Sequence, residues 1–348
     1  MPGLPAAHWL GNEFRQVETL LLPNSIRPSL REAADCAAEW LDRGEVVALP
    51  TETVYGLAGD ALNAAAAARI FEVKERPHFD PLICHLPDRE WLDRITRVPA
   101  SMRGMVDGLA ARFWPGPLTL VLPKRDLVPD LVSSGLSTVA VRMSAHPVFG
   151  AVLERFGRPV AAPSANRFGR ISPTQAEHVV SELGGRIPLV LDGGPTHHGV
   201  ESTIVALDAS GDGLRILRAG PVTAEELEEL APVRWGADAV GGVPEAPGQL
   251  KSHYAPRTPL WLREPGSGME GVTREGRWGL LAWREQMEGF SAVEVLSARG
   301  DLREAAATLF AKMRRLDEAG LDGLVAERVP EEGLGCAIND RLKRASAR

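Results

Sequence analysis

Apolar residues at helical spacing give the first clear pattern along the chain. The stripe over 30–41 predicts a helix for which Ser29 is the N-cap. An Ala-rich segment predicts a second helix over 64–73, capped by Asn63 and ended near Pro77, which disfavours continuation. The same spacing predicts further helices at 101–113, 147–156, 173–183 and 224–230.

Short apolar runs rich in β-branched residues lie between these helices. They predict strands at 46–49, 81–86, 118–122, 138–143, 159–162, 189–191, 202–207 and 214–217. Strands interspersed with helices over such a length are typical of an α/β protein. We expect a twisted mixed sheet with helices packed on it.

A second pattern follows an irregular segment. Residues 236–260 contain four Pro and four Gly and have no periodicity, which is typical of a linker. Beyond them the chain predicts strands at 278–283, 293–296 and 324–326, and helices at 302–316 and 336–344. The predicted organisation is a large domain at 1–235 with a core from about 15, a linker at 236–258 and a small α/β domain at 259–348.

Composition and charge narrow the class of protein. A chain of 348 residues is long enough for two domains, and its net charge of −7 argues against a surface coated with basic groups. No apolar run approaches the roughly 18 residues that would span a bilayer, and residues 1–10 do not resemble a signal peptide. Three distant cysteines favour a reducing compartment, so we expect a cytoplasmic protein.

Polar residues follow the first strong strand directly. The segment 50–57, Pro-Thr-Glu-Thr-Val-Tyr-Gly-Leu, begins where that strand ends. Open α/β sheets place ligands at such strand ends. An ordinary strand-to-helix turn, with hydroxyl groups bonded to the backbone, explains the segment equally well.

Basic residues close the Ala-rich helix. Lys74 and Arg76 are expected to be exposed in its last turn, where they would normally only complement the helix dipole. His85 ends the next apolar strand and could face the same edge of the sheet. Thr138 and Arg142 share one face of a later strand. Together these groups suit an anionic ligand.

The densest polar signal covers 161–175. Small residues at 161–166 would let the backbone approach a ligand closely, with Ser164 and Asn166 among them. Ser172 is predicted to cap the following helix and to form a capping box with Gln175. A helix start flanked by such groups can bind an anion, although an ordinary capped loop has the same composition.

Seven motifs in this order and spacing resemble the long form of the threonylcarbamoyl-AMP synthase family, which joins a YrdC-like domain to a small Rossmann-like domain. The motifs are Pro-Thr-Glu-Thr-Val-Tyr-Gly-Leu at 50–57, Lys-x-Arg-Pro at 74–77 with Asp-Pro-Leu-Ile at 80–83, Phe-Trp-Pro-Gly-Pro-Leu-Thr at 113–119, Val-Ala-Val-Arg-Met at 139–143, Ala-Pro-Ser-Ala-Asn at 162–166, Gly-Val-Glu-Ser-Thr at 199–203 and Leu-Arg-Ala-Gly at 217–220. The segments 251–256 and 330–341 resemble the linker and C-terminal domain of the same family.

The resemblance implies a nucleotidyltransferase that joins L-threonine, bicarbonate or CO2, and ATP into L-threonylcarbamoyl-adenylate with release of pyrophosphate. The product serves modification of the adenosine next to the tRNA anticodon by downstream threonylcarbamoyltransferase proteins. Mg2+ would arrive with ATP, and no protein-held metal site is expected. Neither a membrane nor direct tRNA binding is required.

The resemblance also implies roles for individual residues. The L-threonine site would comprise Thr51, Thr53, His85, Arg142 and Ser202. ATP would contact Arg76, Asp80, Thr138, Ala162, Ser164, Ser172, Arg218 and, from the linker, Tyr254. The groups nearest the transferring phosphoryl group would be Lys74, Arg76, Ser164 and Asn166.

Two other functions remain open at this point. A carbamoyltransferase of the hydrogenase-maturation type uses a related domain and starts from carbamoyl phosphate, but the linker and C-terminal domain favour the threonine enzyme. A non-catalytic RNA-binding module is disfavoured by the net charge of −7 and by the lack of interleaved aromatic residues.

Overall fold

The computed structural model describes residues 19–22, 30–208, 212–236, 244–265 and 276–347. The predicted cap at Ser29 and the N-terminal segment 1–10 lie outside these residues. In the described part of the chain, no helix is long and apolar enough to cross a membrane.

The helices reproduce the predicted stripes and add two short ones, α3 and α5. They are α1 (Leu30–Asp42), α2 (Ala64–Lys74), α3 (Glu90–Ile95), α4 (Ala100–Phe113), α5 (Asp130–Ser133), α6 (Pro147–Phe156), α7 (Ala176–Leu183), α8 (Ala224–Glu228), α9 (Leu302–Asp317) and α10 (Leu334–Ser346). Asn63 caps α2 as predicted, because its side chain accepts from the backbone N–H groups of Ala65 and Ala66.

The strands of the catalytic domain are β1 (Leu20–Leu22), β2 (Val47–Leu49), β3 (Gly56–Asp60), β4 (Ile83–His85), β5 (Leu118–Pro123), β6 (Thr138–Arg142), β7 (Val160–Ala161), β8 (Leu189–Leu191), β9 (Thr203–Leu207), β10 (Leu214–Arg218) and β11 (Val233–Trp235). They form one sheet in the order β1-β8-β2-β3-β7-β4-β6-β5-β9-β10-β11. Parallel and antiparallel neighbours alternate irregularly, so the sheet is mixed as predicted.

The C-terminal domain has a separate sheet. Its strands are β12 (Leu260–Arg263), β13 (Trp278–Ala282), β14 (Ala292–Val295) and β15 (Gly323–Glu327). They pair in the order β12-β15-β13-β14, and every pairing is parallel. With α9 and α10 packed beside it, this sheet has the small Rossmann-like architecture that the sequence predicted.

The structure excludes one alternative that the sequence left open and contradicts one local prediction. The segment 50–55 is not a strand-to-helix turn, because it joins β2 to the antiparallel strand β3. The sequence of β3, Gly-Leu-Ala-Gly-Asp, lacks a β pattern. Gly59 nevertheless lets the backbone of this strand pack closely on Val46 and Ile70. Ser172 does not cap a helix either, since α7 begins at Ala176 and the hydroxyl of Ser172 donates to Glu201.

The hydrophobic core of the small domain continues into the large one. Most of this core comes from β12 to β15, α9 and α10. It also contains Val54, Ile171 and Val200 from the catalytic domain and Tyr254 from the linker. The C-terminal domain therefore packs directly on the loops that surround the candidate site.

Candidate active site

A cleft lies where the ends of β4, β6 and β10 meet the linker. Its walls are formed by Thr51, Thr53, Val54, Gly56, Arg76, Ile83, His85, Arg142, Ala162, Pro163, Ser164, Glu201, Ser202, Arg218, Pro247, Gly248, His253 and Tyr254. Sequence segments up to about 200 residues apart thus converge on one place.

The loop between β2 and β3 supplies a short chain of hydroxyl groups. Thr51 Oγ1 donates to the carbonyl of Val54 at 2.7 Å, and it lies 2.8 Å from Thr53 Oγ1. Since the hydrogen of Thr51 is already used, Thr53 donates to Thr51 and accepts from Arg142 Nη1 at 3.1 Å. The loop is therefore held in one conformation by its own side chains.

Arg142 is the last residue of β6 and is buried. Its Nε donates to the carbonyl of Gly116 at 3.2 Å, and its Nη2 donates to Glu52 Oε1 at 2.6 Å. Burial raises the pKa of Glu52, but the charge of Arg142 and a hydrogen bond from Ser144 outweigh it and lower that pKa to about 2. A carboxylate of the protein thus fixes the guanidinium beside Thr53.

His85 lies next to Arg142 because β4 and β6 pair in parallel with these two residues in register. It is 2% exposed, and its ring centre lies 4.8 Å from that of Phe149. Burial, assisted by the charge of Arg142, lowers the pKa of His85 to about 3. The imidazole is therefore neutral at physiological pH, and its Nδ1 has no hydrogen-bond partner.

Lys74 and Arg76 are buried, contrary to the exposed positions expected for a last helical turn. Lys74 is 1% exposed, and its Nζ donates to the carbonyls of Ser164 and Asn166 at 2.5 and 2.6 Å. Burial lowers the pKa of Lys74 well below its usual value, and the charge of Arg76 lowers it further. The packing of the 162–170 loop over the end of α2 buries both side chains, which local sequence could not reveal.

Arg76 is held by the segment that follows α2. Its Nε and Nη2 donate to the carbonyls of Asp80 and Pro81 at 3.1 and 2.8 Å. Nη2 also lies 2.9 Å from Asp80 Oδ2, an ion-pair contact whose angle is not that of a hydrogen bond. Burial raises the pKa of Asp80, although the charge of Arg76 opposes the rise.

The third arginine of the cleft ends β10. Arg218 donates from Nε to the carbonyl of Ser202 and from Nη2 to Ser202 Oγ, both at 3.0 Å. Ser202 Oγ also lies 2.8 Å from Thr119 Oγ1, and Arg218 Nη1 reaches the carbonyl of Pro247 at 3.3 Å. Arg218 therefore ties the catalytic domain to the linker.

Ten of the predicted site residues line the cleft, namely Thr51, Thr53, Arg76, His85, Arg142, Ala162, Ser164, Ser202, Arg218 and Tyr254. The structure places the other five behind this wall. Lys74, Asp80 and Asn166 contact the wall or its loops, Ser172 bonds to Glu201, and Thr138 lies at the far end of β6.

Several lining residues were not predicted. Glu201 and His253 stood in segments that the sequence singled out, but nothing in the pattern assigned them a role. Gly248 has a φ of +87°, and a Cβ there would lie 2.9 Å from the Tyr254 hydroxyl. A glycine followed by a basic and aromatic cluster in a Pro-rich linker was the available signal.

The linker residue Tyr254 forms the wall between the two domains. It is 1% exposed, has a φ of +62° and stacks on Phe310 of α9 with ring centres 5.6 Å apart. The neighbouring His253 is also buried, and its ring packs against Tyr254 at 4.2 Å. Burial raises the pKa of Tyr254 to about 12, so its hydroxyl remains protonated.

The cleft is rich in buried cations and poor in metal ligands. Within the described ranges, no group of three or more His, Cys, Asp or Glu residues could hold a metal ion. The cationic and hydroxyl side chains that line the cleft can donate to an anionic ligand.

Comparisons with known proteins agree on one family. A model of the Sua5, YciO and YrdC proteins, described as "Telomere recombination", matches residues 39–220, and "Threonylcarbamoyl-AMP synthase, C-terminal domain" matches residues 222–347. The chain is 42% identical over 322 residues to a threonylcarbamoyl-AMP synthase of Bacillus subtilis, covering 89% of this chain and 92% of that protein. It is 39% identical over 325 residues to the synthase of Pyrococcus abyssi, covering 89% and 93%.

A solved structure supports the same relationship. The structure of P. abyssi Sua5 complexed with L-threonine superimposes with a TM-score of 0.84 at 36% identity. The match covers 94% of this chain and 98% of that chain, so it includes both domains and the linker.

Proposed function

Because the chain belongs to the threonylcarbamoyl-AMP synthase family, we propose that its cleft joins L-threonine, bicarbonate and MgATP into L-threonylcarbamoyl-adenylate and pyrophosphate. The synthase activity is that of the relatives, and bicarbonate, MgATP and the residue roles are our assignment. The observation that carries it is the convergence of three buried arginines, Arg76, Arg142 and Arg218, in one cleft. Glu52 and Asp80 already pair with Arg142 and Arg76, and the remaining N–H groups of the three guanidinium groups suit anionic substrates.

L-Threonine occupies the side of the cleft next to Arg142. The guanidinium pairs with the substrate carboxylate, while Thr53 and Ser202 bond to its polar groups. Thr51 holds Thr53 in place, and neutral His85 offers an unpartnered Nδ1. The P. abyssi relative solved with L-threonine supports a threonine subsite in this fold.

ATP occupies the side next to Arg76, Ser164 and Arg218. Lys74 uses two of its three hydrogens on carbonyls, which leaves one for a phosphate oxygen. An arriving anion would also offset the burial that lowers the pKa of Lys74. Ala162 and Tyr254 line the nucleotide pocket. Asp80, Thr138, Asn166 and Ser172 act from behind the wall or from its edge.

The reaction needs positioning and charge stabilisation more than a protein nucleophile. Bicarbonate takes up a proton and loses water to give CO2. The threonine amine adds to CO2 and gives up a proton, and an oxygen of the resulting carbamate attacks the α-phosphorus of ATP. The new oxygen–phosphorus bond forms as the bond to pyrophosphate breaks. Arg76 and Ser164 lie beside the transferring phosphoryl group, and Lys74 and Asn166 support them from behind the wall of the cleft. Their charges and dipoles stabilise the transition state. Mg2+ enters with ATP as part of the substrate.

The linker acts as a lid. Pro247, Gly248, His253 and Tyr254 already line the cleft, and Arg218 holds the carbonyl of Pro247. A closed linker would shield the carbamate and the mixed anhydride from water. Limited proteolysis tests this role, because ATP with threonine should slow cleavage between Pro247 and Pro259. Tyr254→Ala should lower turnover in the full chain. If turnover and cleavage are both unchanged, the linker only connects the two domains.

The activity is tested by pyrophosphate release. We expect release from ATP only when both L-threonine and bicarbonate are present. Pyrophosphate release that does not depend on threonine would overturn the assignment. Release that depends on carbamoyl phosphate would indicate carbamoyl transfer instead. Salt-dependent tRNA binding without ATP turnover would indicate an RNA-binding module.

The product is a reactive mixed anhydride, so a transferase must consume it soon after release. We assign that role to tRNA threonylcarbamoyltransferase proteins, which modify the adenosine beside the anticodon. The three cysteines are unpaired, which supports action in the reducing cytoplasm.

A further inference from the structure

One arginine of the C-terminal domain is buried completely against the catalytic domain. Arg341 lies on α10 and is 0% exposed. Its Nε donates to Glu201 Oε2 at 3.0 Å, and its Nη1 donates to the carbonyl of Ala219 at 2.7 Å. Its guanidinium carbon lies 5.4 Å from the ring centre of Tyr254. A positively charged group of the small domain therefore lies directly against the wall of the cleft.

Arg341 also donates from Nη1 to Asp340 of its own helix at 3.1 Å. Its contacts with the other domain and with the linker each involve a residue of the cleft wall or the neighbour of one. Glu201 lines the cleft and precedes Ser202. Ala219 follows Arg218, and Tyr254 lines the cleft from the linker. The second carboxylate oxygen of Glu201 accepts from Ser172. Arg341 is thus the point at which the 199–203 loop, the end of β10 and the linker are joined.

A second buried arginine at the domain interface provides a comparison for Arg341. Arg314 of α9 is 6% exposed and donates to the carbonyl of Ile171 and to Glu182 Oε1, the latter at 3.1 Å. Neither partner lines the cleft. Arg314 therefore offers an interface contact of the same chemistry that lies away from the site.

The carboxylate of Glu201 also needs a cation of its own. Glu201 is buried. Burial lowers the pKa of the cleft residue Arg218, and the negative charge of Glu201 raises it by a smaller amount. Without Arg341, the unpaired carboxylate would attract Arg218 and compete with a bound phosphate. Pairing Glu201 with Arg341 leaves Arg218 available to Ser202 and to the nucleotide.

We infer that Arg341 is a positioning residue for adenylate formation: it neutralises Glu201 and fixes Ser202, Arg218 and Tyr254 for ligand binding. The inference rests on the proposed function. It gives the C-terminal domain a defined part in the site without contact with the substrates.

The test compares four variants of the full chain. Arg341→Met removes the charge, Arg341→Lys keeps it, and Arg314→Met removes the comparable interface arginine. Arg341→Met combined with Glu201→Gln removes the charge and its unpaired partner together. The measurements are kcat, the KM for ATP, the ATP affinity by calorimetry and the melting temperature.

We expect Arg341→Met to weaken ATP binding and to lower kcat/KM by at least about tenfold. Arg341→Lys and the double variant should each recover part of the loss, because neither leaves Glu201 without a partner. Arg314→Met should lower the melting temperature but leave the ATP affinity within about twofold.

An ATP affinity that is unchanged in Arg341→Met, or that falls equally in Arg314→Met, would overturn the inference. So would a double variant no better than Arg341→Met. A wild-type chain that releases no pyrophosphate in response to threonine would instead refute the proposed function. Calorimetric ATP binding would still decide the role of Arg341 in that case.

Discussion

The two domains bury their charged side chains in different places. In the catalytic domain, buried Lys74, Arg76, Arg142 and Arg218 gather around one cleft. In the C-terminal domain, buried Arg314 and Arg341 point out of their own domain and into the other one. One domain builds the site, and the other supports the loops that surround it.

The cause of this difference lies in the sheets. The mixed sheet ends several strands at one edge, so His85, Arg142 and Arg218 meet there from different parts of the chain. The small parallel sheet keeps its own buried ion pair, Arg263 with Glu327 at 2.9 Å, within the domain. A buried charge is costly unless paired, so each position marks a defined structural or chemical task.

Removing the C-terminal domain should have the largest effect on turnover. A chain that ends at Trp235 keeps the two main cores of the catalytic domain and should fold. Its turnover should fall by more than about a hundredfold, since Glu201 loses its cation and the linker is absent. Pyrophosphate release and a thermal melt measure the two effects separately. A truncated chain with normal turnover would show that the second domain has no part in the site.

Removing a buried cation of the cleft should have the next largest effect. Lys74→Ala and Arg76→Ala should each lower turnover by about a hundredfold, because both groups stabilise the transferring phosphate. Both also cost stability, and loss of Arg76 leaves Asp80 buried without its cation, a change worth roughly 3–5 kcal/mol. Arg69→Ala, on the more exposed face of α2, is the matched control and should keep near-normal turnover.

Forcing the domains apart should give an intermediate effect. Gly199 has a φ of +70°, and a Cβ there would lie 2.3 Å from the carbonyl oxygen of Ala306 in α9. Gly199→Ala should therefore displace the 199–203 loop and lower turnover by about tenfold. Gly157→Ala is the control, because Gly157 has a similar φ of +73° but open space around it. Equal losses in both variants would attribute the effect to backbone strain alone.

Acid should distinguish the two domains through the protonation of His85, without any change of sequence. Burial lowers the pKa of His85 to about 3. Between about pH 6.5 and pH 3, His85 is therefore protonated in the unfolded chain and neutral in the folded chain. The free energy of unfolding should fall as pH drops from about 6.5 towards 3, by at most about 1.4 kcal/mol per pH unit for this group. Residues 259–348 contain no histidine, so hydrogen exchange should rise first in the catalytic domain.

His85→Gln should reduce the pH slope of the unfolding free energy by up to one proton. The control variant is His78→Gln, which removes an exposed histidine and leaves His85 in place. An unaltered slope in His85→Gln would mean that His85 is not kept neutral by the fold.

The sequence predicted the elements well where pattern and chemistry agreed. The stripe of α6 gave its boundaries at Pro147–Phe156, and Asn63 capped α2 as expected. No strand was predicted at β3, because close packing of Gly59 replaces a β-branched pattern there. The helix cap predicted at Ser172 was wrong, because its hydroxyl bonds to a distant carboxylate and not to a helix start. The spacing of hydrophobic residues indicates which face of an element is buried. Polar contacts between distant segments produce no periodic pattern in the sequence, so spacing cannot predict them.

The sequence by itself determined the family, the order of the domains and ten of the residues around the cleft. Only the tertiary structure decided that Lys74 and Arg76 are buried, that Glu52 fixes Arg142 and that Arg341 reaches Glu201 from the other domain. Motifs record which chemical groups are present along the chain. Burial and pairing arise from segments up to about 140 residues apart, and they set the charge and position of those groups.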